Sequence, residues 1–200
     1  EGGFAPDLGS VQGVLDLILS AIERAGYRPG EQCFIGLDVA ASELVNGETY
    51  FFDRQGLTLS SEDLVSMYSD WTRNYPILSI EDGLGEDDWD GWINLNQRLG
   101  KNVQLVGDDL YATRADTIEH GIFVGASNAV LLKPNQVGTI SETMTALTLT
   151  KNAGWGTVIS HRSGETEDTT ISDLAVGSDA GQIKTGAPNR GERTAKYNRL

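Results

Sequence analysis

The chain has 200 residues, an apolar fraction of 39% and a formal net charge of −14. This length suffices for one domain with a hydrophobic core, and the acidic balance argues against a nucleic-acid partner, because phosphates are bound by basic patches. The single cysteine, Cys33, excludes an internal disulfide framework, and no segment approaches the roughly 18 apolar residues of a membrane span, so we expect a cytoplasmic protein.

Helical and extended segments alternate along the chain after an opening loop. Residues 1–9 are predicted to form a loop that contains glycine and proline, and Ser10 can cap a helix that ends near Gly26. A strand then runs into Asp38. The Asn-Gly pair at 46–47, followed by aromatic residues, predicts a small β-hairpin inserted after this strand.

Strands and helices continue to alternate through the rest of the chain. Further helices are predicted after Ser60 or Ser61, from Asp87 and over 115–120. Two more are predicted, one that contains Ile140 and is broken by Gly154, and one that contains Ile171, Leu174 and Val176. His120 is placed beside a glycine at the end of its helix, where the helix dipole favours a cation, and not in a catalytic role. The tail, residues 187–200, is predicted to be basic and irregular.

Six short apolar runs each end in an ionisable group. These groups are Asp38, Glu81, Asp108, Lys133, His161 with Arg162, and Lys184. After the first interval, which contains the hairpin, they recur about every 25 residues, the length of one strand, one loop and one helix. The pattern predicts an α/β fold, a TIM-type (β/α)8 barrel with about six of its βα units present. In such a barrel the carboxyl ends of the strands form one face, where active sites lie.

Three of these strand ends carry carboxylates, Asp38, Glu81 and Asp108. Buried carboxylates are costly unless they are paired or bound to a cation, and Mg²⁺ takes oxygen ligands together with water and substrate. Carboxylates from three rigid strands would form an open Mg²⁺ site. The alternatives are that Asp108 begins a loop or caps a helix, or that some of these groups pair with Lys133 or Lys184.

The other strand ends suit a base and an anion clamp. A lysine at a buried strand end can lose its proton near neutral pH, but nearby carboxylates oppose this, so the sequence leaves the pKa of Lys133 and of Lys184 open. His161, Arg162 and Ser163 combine a guanidinium fork with a hydroxyl, and both suit phosphate or carboxylate. A divalent cation, a lysine base and an anion clamp together suit removal of a proton next to a carboxylate.

The chain resembles the enolase family over nearly its whole length, with the motifs in the family's order. The matching segments are EGGFAPDLGS, GLDVAASE, LSIEDGLGEDDW, QLVGDDLYATR, LLKPNQVGTISET, ISHRSGETEDTTISDLAVG and GQIKTGAPNRGERTAKYN. The resemblance implies a cytoplasmic lyase of glycolysis that uses Mg²⁺ to dehydrate 2-phosphoglycerate reversibly to phosphoenolpyruvate. It also implies a homo-oligomer, a dimer or higher.

The resemblance implies a role for each residue that matches a family motif. Asp38, Glu81 and Asp108 match the three Mg²⁺ ligands. Lys133 matches the base that takes the proton from the carbon bearing the phosphate. Lys184 matches the lysine that helps to bind the substrate carboxylate.

Four further residues match the substrate pocket of the family. Arg162 and Ser163 match the pair that binds phosphate, and His161 lies in the pocket. Glu1, in EGG, matches the acid that protonates the departing hydroxyl.

The chain also departs from the family's pattern. The family has an amino-terminal cap domain and an opening portion of the barrel before EGG, so we expect residues 1–200 to be a barrel fragment that lacks both and exposes two sheet edges. Glu1 would then carry a free amino group that could disturb its position. A binding or structural role, as known for enolases at cell surfaces or in the lens, is the alternative that the resemblance allows, and a secondary cell-surface location depends on it.

Overall fold

The computed structural model describes residues 1–200, which divide into two compact units. The amino-terminal unit comprises Pro6–Leu110 and Gly125–Ser127. The carboxy-terminal unit comprises Glu1–Ala5, Tyr111–Val124 and Asn128–Leu200. None of the helices has both the length and the apolar character needed to cross a membrane.

The amino-terminal unit combines a parallel sheet with a small antiparallel one. Its helices are α1 (Val11–Arg24), α2 (Ser61–Asn74) and α3 (Trp89–Leu99), and its strands are β1 (Ile35–Asp38), β2 (Val45–Asn46), β3 (Thr49–Phe52), β4 (Leu57–Leu59), β5 (Ile77–Glu81) and β6 (Gln104–Gly107). Short 3-10 turns cover Ala41–Leu44 and Asp53–Gln55. In the parallel sheet β5 lies between β1 and β6.

The antiparallel sheet confirms the hairpin predicted after the first strand. β2 pairs with β3 as expected. β3 also pairs with β4, a strand that the sequence did not reveal. Three residues are too few to show the alternation by which a strand is recognised.

The carboxy-terminal unit is built from a second set of parallel strands. Its elements are α4 (Ala115–Val124), β7 (Ala129–Leu132), α5 (Pro134–Val137), α6 (Ile140–Asn152), β8 (Gly156–Ser160), α7 (Thr170–Gly177), β9 (Gly181–Lys184) and α8 (Gly191–Arg199). β8 lies between β7 and β9, and both pairings are parallel. With three parallel strands in each unit and helices following them, the predicted α/β fold with six of the eight repeats of a TIM-type barrel is confirmed.

Polar side chains cap three helices of the amino-terminal unit, at Ser10 as predicted, at Ser60, one of the two predicted alternatives, and at Asp88, for which no cap was predicted. Ser10 accepts a hydrogen bond from the Gly13 amide at the start of α1. Ser60 and Asp63 form a reciprocal capping box at the start of α2. Asp88 caps α3 by accepting from the Gly91 amide. Each cap satisfies an amide that would otherwise lack a partner in the first turn of the helix.

Two fully buried aromatic residues hold the segment that follows Glu81. The Tyr68 hydroxyl donates to the Gly83 carbonyl at 2.8 Å, and the Trp92 indole donates to the Gly85 carbonyl at 3.1 Å. Buried aromatic residues with a polar tip commonly find such partners. The hydrophobic core of the amino-terminal unit therefore fixes the backbone directly after a predicted metal ligand.

The helix predicted over 115–120 is longer than expected, because α4 continues to Val124. His120 lies in its interior, so its predicted position at the helix end is wrong. Gly121 does not end the helix; a Cβ there would lie 2.5 Å from the ring of Tyr111, so the glycine permits close packing. The helix ends before Gly125, whose φ of +70° suits a helix terminus.

The tail was predicted to be irregular, and that prediction is wrong from Gly191 onward. These residues form α8, and its Arg193 and Lys196 are 1% and 0% exposed. The prediction treated basic residues as surface groups, which they usually are. Here the cations are buried because carbonyl oxygens of residues 162–166 accept their hydrogen bonds.

Candidate functional site

The amino-terminal unit places two of the predicted metal ligands side by side. Asp38 ends β1 and Glu81 ends β5, and the two residues are register partners in adjacent parallel strands. Such neighbours lie about 4.8 Å apart, with their side chains on the same face of the sheet. Asp108 follows the end of β6, two residues after Val106, which pairs with Glu81. The carboxylates of Glu81 and Asp108 are buried, whereas Asp38 is exposed.

Asp82 is a buried carboxylate that the sequence analysis did not single out. Its two oxygens accept hydrogen bonds from the backbone amides of Asp108, at 2.8 Å, and Asp109, at 3.0 Å. Its φ of 43° lies in the left-handed region that non-glycine residues rarely occupy. Asp82 therefore fixes the turn that carries Asp108. The only signal in the sequence was its adjacency to Glu81.

The electrostatics of this turn favour a cation. Burial raises the pKa of Asp82 to about 7; the amides of Asp109 and Asp108 oppose this shift, and the carboxylates of these residues add to it. Oxygens of Asp82, Asp108 and Asp109 all lie within 4.8 Å of one another. A set of several carboxylates on rigid strand ends is the donor chemistry that a hard divalent cation requires, so the residues present fit a metal ion.

The compact group of oxygen ligands overlaps with the set that the sequence predicts, because both contain Asp108. The predicted set is Asp38, Glu81 and Asp108, and the compact group is Asp82, Asp108 and Asp109. Both oxygens of Asp82 accept backbone hydrogen bonds, so this carboxylate positions the turn that carries Asp108.

The carboxy-terminal unit brings together most of the predicted substrate residues. The Ser163 hydroxyl donates to Glu1 Oε1 at 3.2 Å, and His161 Nε2 lies 3.5 Å from the same oxygen. The His161 amide donates to the carbonyl of Lys184, which ends β9. His161 and Arg162 lie just beyond β8, which ends at Ser160 and not at these residues as expected.

Arg162 donates hydrogen bonds to two side chains of the same unit, the amide of Asn135 and the carboxylate of Glu165. Its guanidinium donates to the Asn135 side chain at 3.1 Å, and its backbone amide donates to Glu165 at 3.0 Å. Burial would raise the pKa of Glu165, but its bonds with Lys196 and with the Arg162 amide outweigh burial and lower it. Glu165 therefore stays ionised and holds the loop in a fixed conformation.

Lys133 follows β7 at the start of α5, and its backbone is anchored by Thr113. The Lys133 amide donates to Thr113 Oγ1 at 2.9 Å, and this hydroxyl donates in turn to Gln136 Oε1 at 2.9 Å. Asn135, the partner of Arg162, lies two residues after Lys133. The candidate base and the candidate phosphate ligand therefore belong to one connected group.

The imidazole of His161 is 2% exposed, and its surroundings favour the neutral form. Burial is the main cause that lowers the pKa of His161; the charges of Arg193 and Lys184 lower it further, while Glu1 and Glu165 oppose the shift. At neutral pH the ring is therefore uncharged in the folded protein.

We expect the free energy of unfolding of the protein to fall, relative to that of a His161→Gln variant, as the pH drops from about 7.5 to about 5.5. The folded-state pKa is depressed below 6.5, so the unfolded chain binds more protons in this window. The stability that the neutral ring contributes is present above 6.5 and lost as the pH falls. Urea unfolding at a series of pH values measures it, with His120→Gln at an exposed position as the control. Parallel pH curves for the protein and for His161→Gln would contradict the expectation.

The nine predicted site residues thus fall into two groups, each within one unit. Asp38, Glu81 and Asp108 belong to the amino-terminal unit, and Glu1, Lys133, His161, Arg162, Ser163 and Lys184 belong to the carboxy-terminal unit. The sequence analysis missed the positioning residues Asp82, Thr113 and Arg193. Their roles depend on backbone partners that are distant in sequence.

Parallel strands that alternate with helices, as in both units, define the class of α/β proteins built as TIM-type barrels. A family model described as "Enolase, C-terminal TIM barrel domain" matches residues 1–200. A protein named enolase from Natranaerobius thermophilus is 52% identical over 200 residues, which are 100% of this chain and 47% of that protein. The chain therefore belongs to the enolase family, as the resemblance implied, and spans about half the length of this relative.

Proposed function

We propose that the protein containing this chain is a phosphopyruvate hydratase, a carbon–oxygen lyase of glycolysis that interconverts 2-phosphoglycerate and phosphoenolpyruvate. The observation that carries the proposal is the grouping of Glu1, His161, Ser163 and Lys184 in one unit of a chain that belongs to the enolase family. An acid, an anion-binding hydroxyl and a lysine at one place suit a substrate that bears a phosphate, a carboxylate and a leaving hydroxyl.

The anionic parts of the substrate are proposed to bind to the loop after β8 and to the end of β9. Arg162 and Ser163 would hold the phosphate, because a guanidinium and a hydroxyl match its oxygens. Lys184 would hold the carboxylate. The bonds of Arg162 to Asn135 and Glu165 keep this loop in place before substrate arrives.

Lys133 is proposed as the base and Glu1 as the acid. The Lys133 amine would take the proton from the carbon that bears the phosphate, and its anchored backbone would keep the amine in position. The bond between the neighbouring carbon and its hydroxyl then breaks. Glu1 gives that hydroxyl a proton, so it leaves as water and the double bond of phosphoenolpyruvate remains.

Asp38, Glu81 and Asp108 are proposed to hold Mg²⁺, with Asp82 fixing the turn of Asp108. A divalent cation bound there would supply positive charge that stabilises the negative charge developing on the substrate carboxylate.

The test is 2-phosphoglycerate dehydration by the full-length protein that contains this chain, measured from the absorbance of phosphoenolpyruvate. Turnover is expected with Mg²⁺, and its loss is expected with excess chelator and its return on adding Mg²⁺. A metal-replete, folded protein without turnover would contradict the proposal.

Assembly as a homo-oligomer and a cytoplasmic location stay predictions, which sedimentation and cell fractionation would check.

A further inference from the structure

The proposed reaction uses neither of the two cations that α8 buries, Arg193 and Lys196. A buried cation is costly unless its donors are bound by acceptors. Nη1 and Nη2 of Arg193 and the ammonium of Lys196 reach the loop over 161–166, which carries the proposed phosphate ligands, whereas Nε of Arg193 is buried without a hydrogen-bond partner. Their position suggests a role in that loop.

Arg193 contacts three successive residues of the loop. Its Nη1 lies 2.6 Å from Nδ1 of His161 and donates to the Arg162 carbonyl at 2.9 Å, and its Nη2 donates to the Ser163 carbonyl at 2.8 Å. One guanidinium thus holds both the imidazole and the backbone of the two proposed phosphate ligands.

The contact with His161 decides which nitrogen of the imidazole carries the proton. A guanidinium has donors and no acceptor, so Nδ1 of His161 must accept the hydrogen bond from Arg193. A neutral imidazole with Nδ1 as acceptor carries its hydrogen on Nε2. Protonation of Nδ1 would both remove this hydrogen bond and place two positive charges in contact.

The other nitrogen, Nε2, is then a donor that the chain does not use. It is buried without a hydrogen-bond partner, and Glu1 Oε1 is 3.5 Å away. The charged groups that face the ring are Glu1, Glu165, Lys184 and Arg193. A buried unused N–H beside a carboxylate suits an incoming oxygen atom, and in the proposed function that oxygen belongs to the substrate.

We propose that Arg193 is a positioning residue that holds His161 in the Nε2–H tautomer, so that this N–H points at Glu1 and at a substrate oxygen beside it. The inference rests on the proposed function for the identity of the substrate. The assignment of the tautomer rests only on the contacts of Arg193.

Lys196 provides a matched control on the same helix. Its ammonium donates to the Thr166 carbonyl at 2.6 Å and pairs with Glu165 at 2.8 Å. It is as deeply buried as Arg193 and holds the same loop. Its partners, Thr166 and Glu165, come later in the loop than His161. Replacing Lys196 should loosen the loop without changing the acceptor that faces His161 Nδ1.

The experiment is ¹⁵N NMR of the full-length protein labelled with [¹⁵N]histidine, with the His161 signals assigned by their loss in His161→Gln. At about pH 7 we expect Nδ1 to be unprotonated and Nε2 to be protonated. Arg193→Met, which keeps an unbranched apolar stem but removes the guanidinium donors, should give a mixture of tautomers. Arg193→Lys should partly restore the pattern, and Lys196→Met should leave it unchanged.

Kinetics supply the second measurement. We expect Arg193→Met to lower kcat about 10- to 100-fold, as for the removal of hydrogen-bond partners that orient a histidine in metal sites. Lys196→Met should mainly raise KM for 2-phosphoglycerate. The fall in kcat should accompany the change of tautomer and be partly reversed in Arg193→Lys.

The proposal is overturned if His161 of the unmodified protein carries its proton on Nδ1, or is doubly protonated, at neutral pH. It is equally overturned if a folded Arg193→Met variant keeps the original pattern. If that variant does not fold, the spectrum of the unmodified protein decides alone. Absence of turnover in the unmodified protein would instead count against the proposed function and would leave the assigned tautomer standing.

Discussion

Replacing Lys133 by alanine in the full-length protein is expected to lower kcat for 2-phosphoglycerate at least about 10³- to 10⁴-fold, the upper range for loss of a general base. The proposed reaction begins with proton transfer to this amine, and no other group is assigned to that step. Mg²⁺ affinity should change little, because the proposed ligands lie on other strands. Steady-state kinetics and calorimetric titration with Mg²⁺ measure the two effects.

Lys101→Ala is the control for the loss of a lysine, since Lys101 is exposed in the loop before β6. Its kcat should equal that of the unmodified protein. Near-normal turnover in Lys133→Ala would refute the role of Lys133 as the base. A large loss of Mg²⁺ affinity in the same variant would indicate that the substitution disturbs more than the base.

The second large effect is expected at the proposed metal ligands. Asp108→Asn keeps the shape of the side chain and removes its charge. We expect Mg²⁺ affinity to fall by more than about 100-fold, because mutation of a residue that only supports a metal ligand already lowers metal affinity about 10- to 100-fold. Turnover should fall with it and recover in part at high Mg²⁺. Calorimetric titration and the Mg²⁺ dependence of kcat measure both quantities.

Two further variants distinguish the overlapping ligand sets. Glu81→Gln should weaken Mg²⁺ binding about as strongly as Asp108→Asn, whereas Asp109→Asn should have a small effect. If Asp109→Asn were as damaging as Glu81→Gln, the metal would belong to the group of Asp82, Asp108 and Asp109. If all three variants bound Mg²⁺ normally, the metal site would lie elsewhere.

The strand ends could be predicted from the sequence because the signal there is local. A short apolar run that stops at an ionisable group marks both a buried strand and the residue at its carboxyl end, as at Glu81 and Lys184. The helix caps at Ser10 and Ser60 were local in the same sense. Such features depend on residues within one turn or one strand of each other.

The positioning residues could not be predicted, because their partners are backbone groups far away in the chain. Asp82 accepts from amides 26 and 27 residues later. Arg193 donates to carbonyls 30 and 31 residues earlier. In the sequence an arginine among other basic residues is typical of a solvated surface, and only the fold shows which carbonyls surround it.

The buried cations of α8 also couple the local unfolding of this helix to that of the loop over 161–166. The helix has nine residues and a predominantly polar sequence, so it has little stability of its own. Its bonds to the carbonyls of Arg162, Ser163 and Thr166 would be lost whenever it unfolds locally. We therefore expect the loop over 161–166 and α8 to open as one cooperative unit, so that fraying of α8 loosens the proposed phosphate ligands while the strands stay intact.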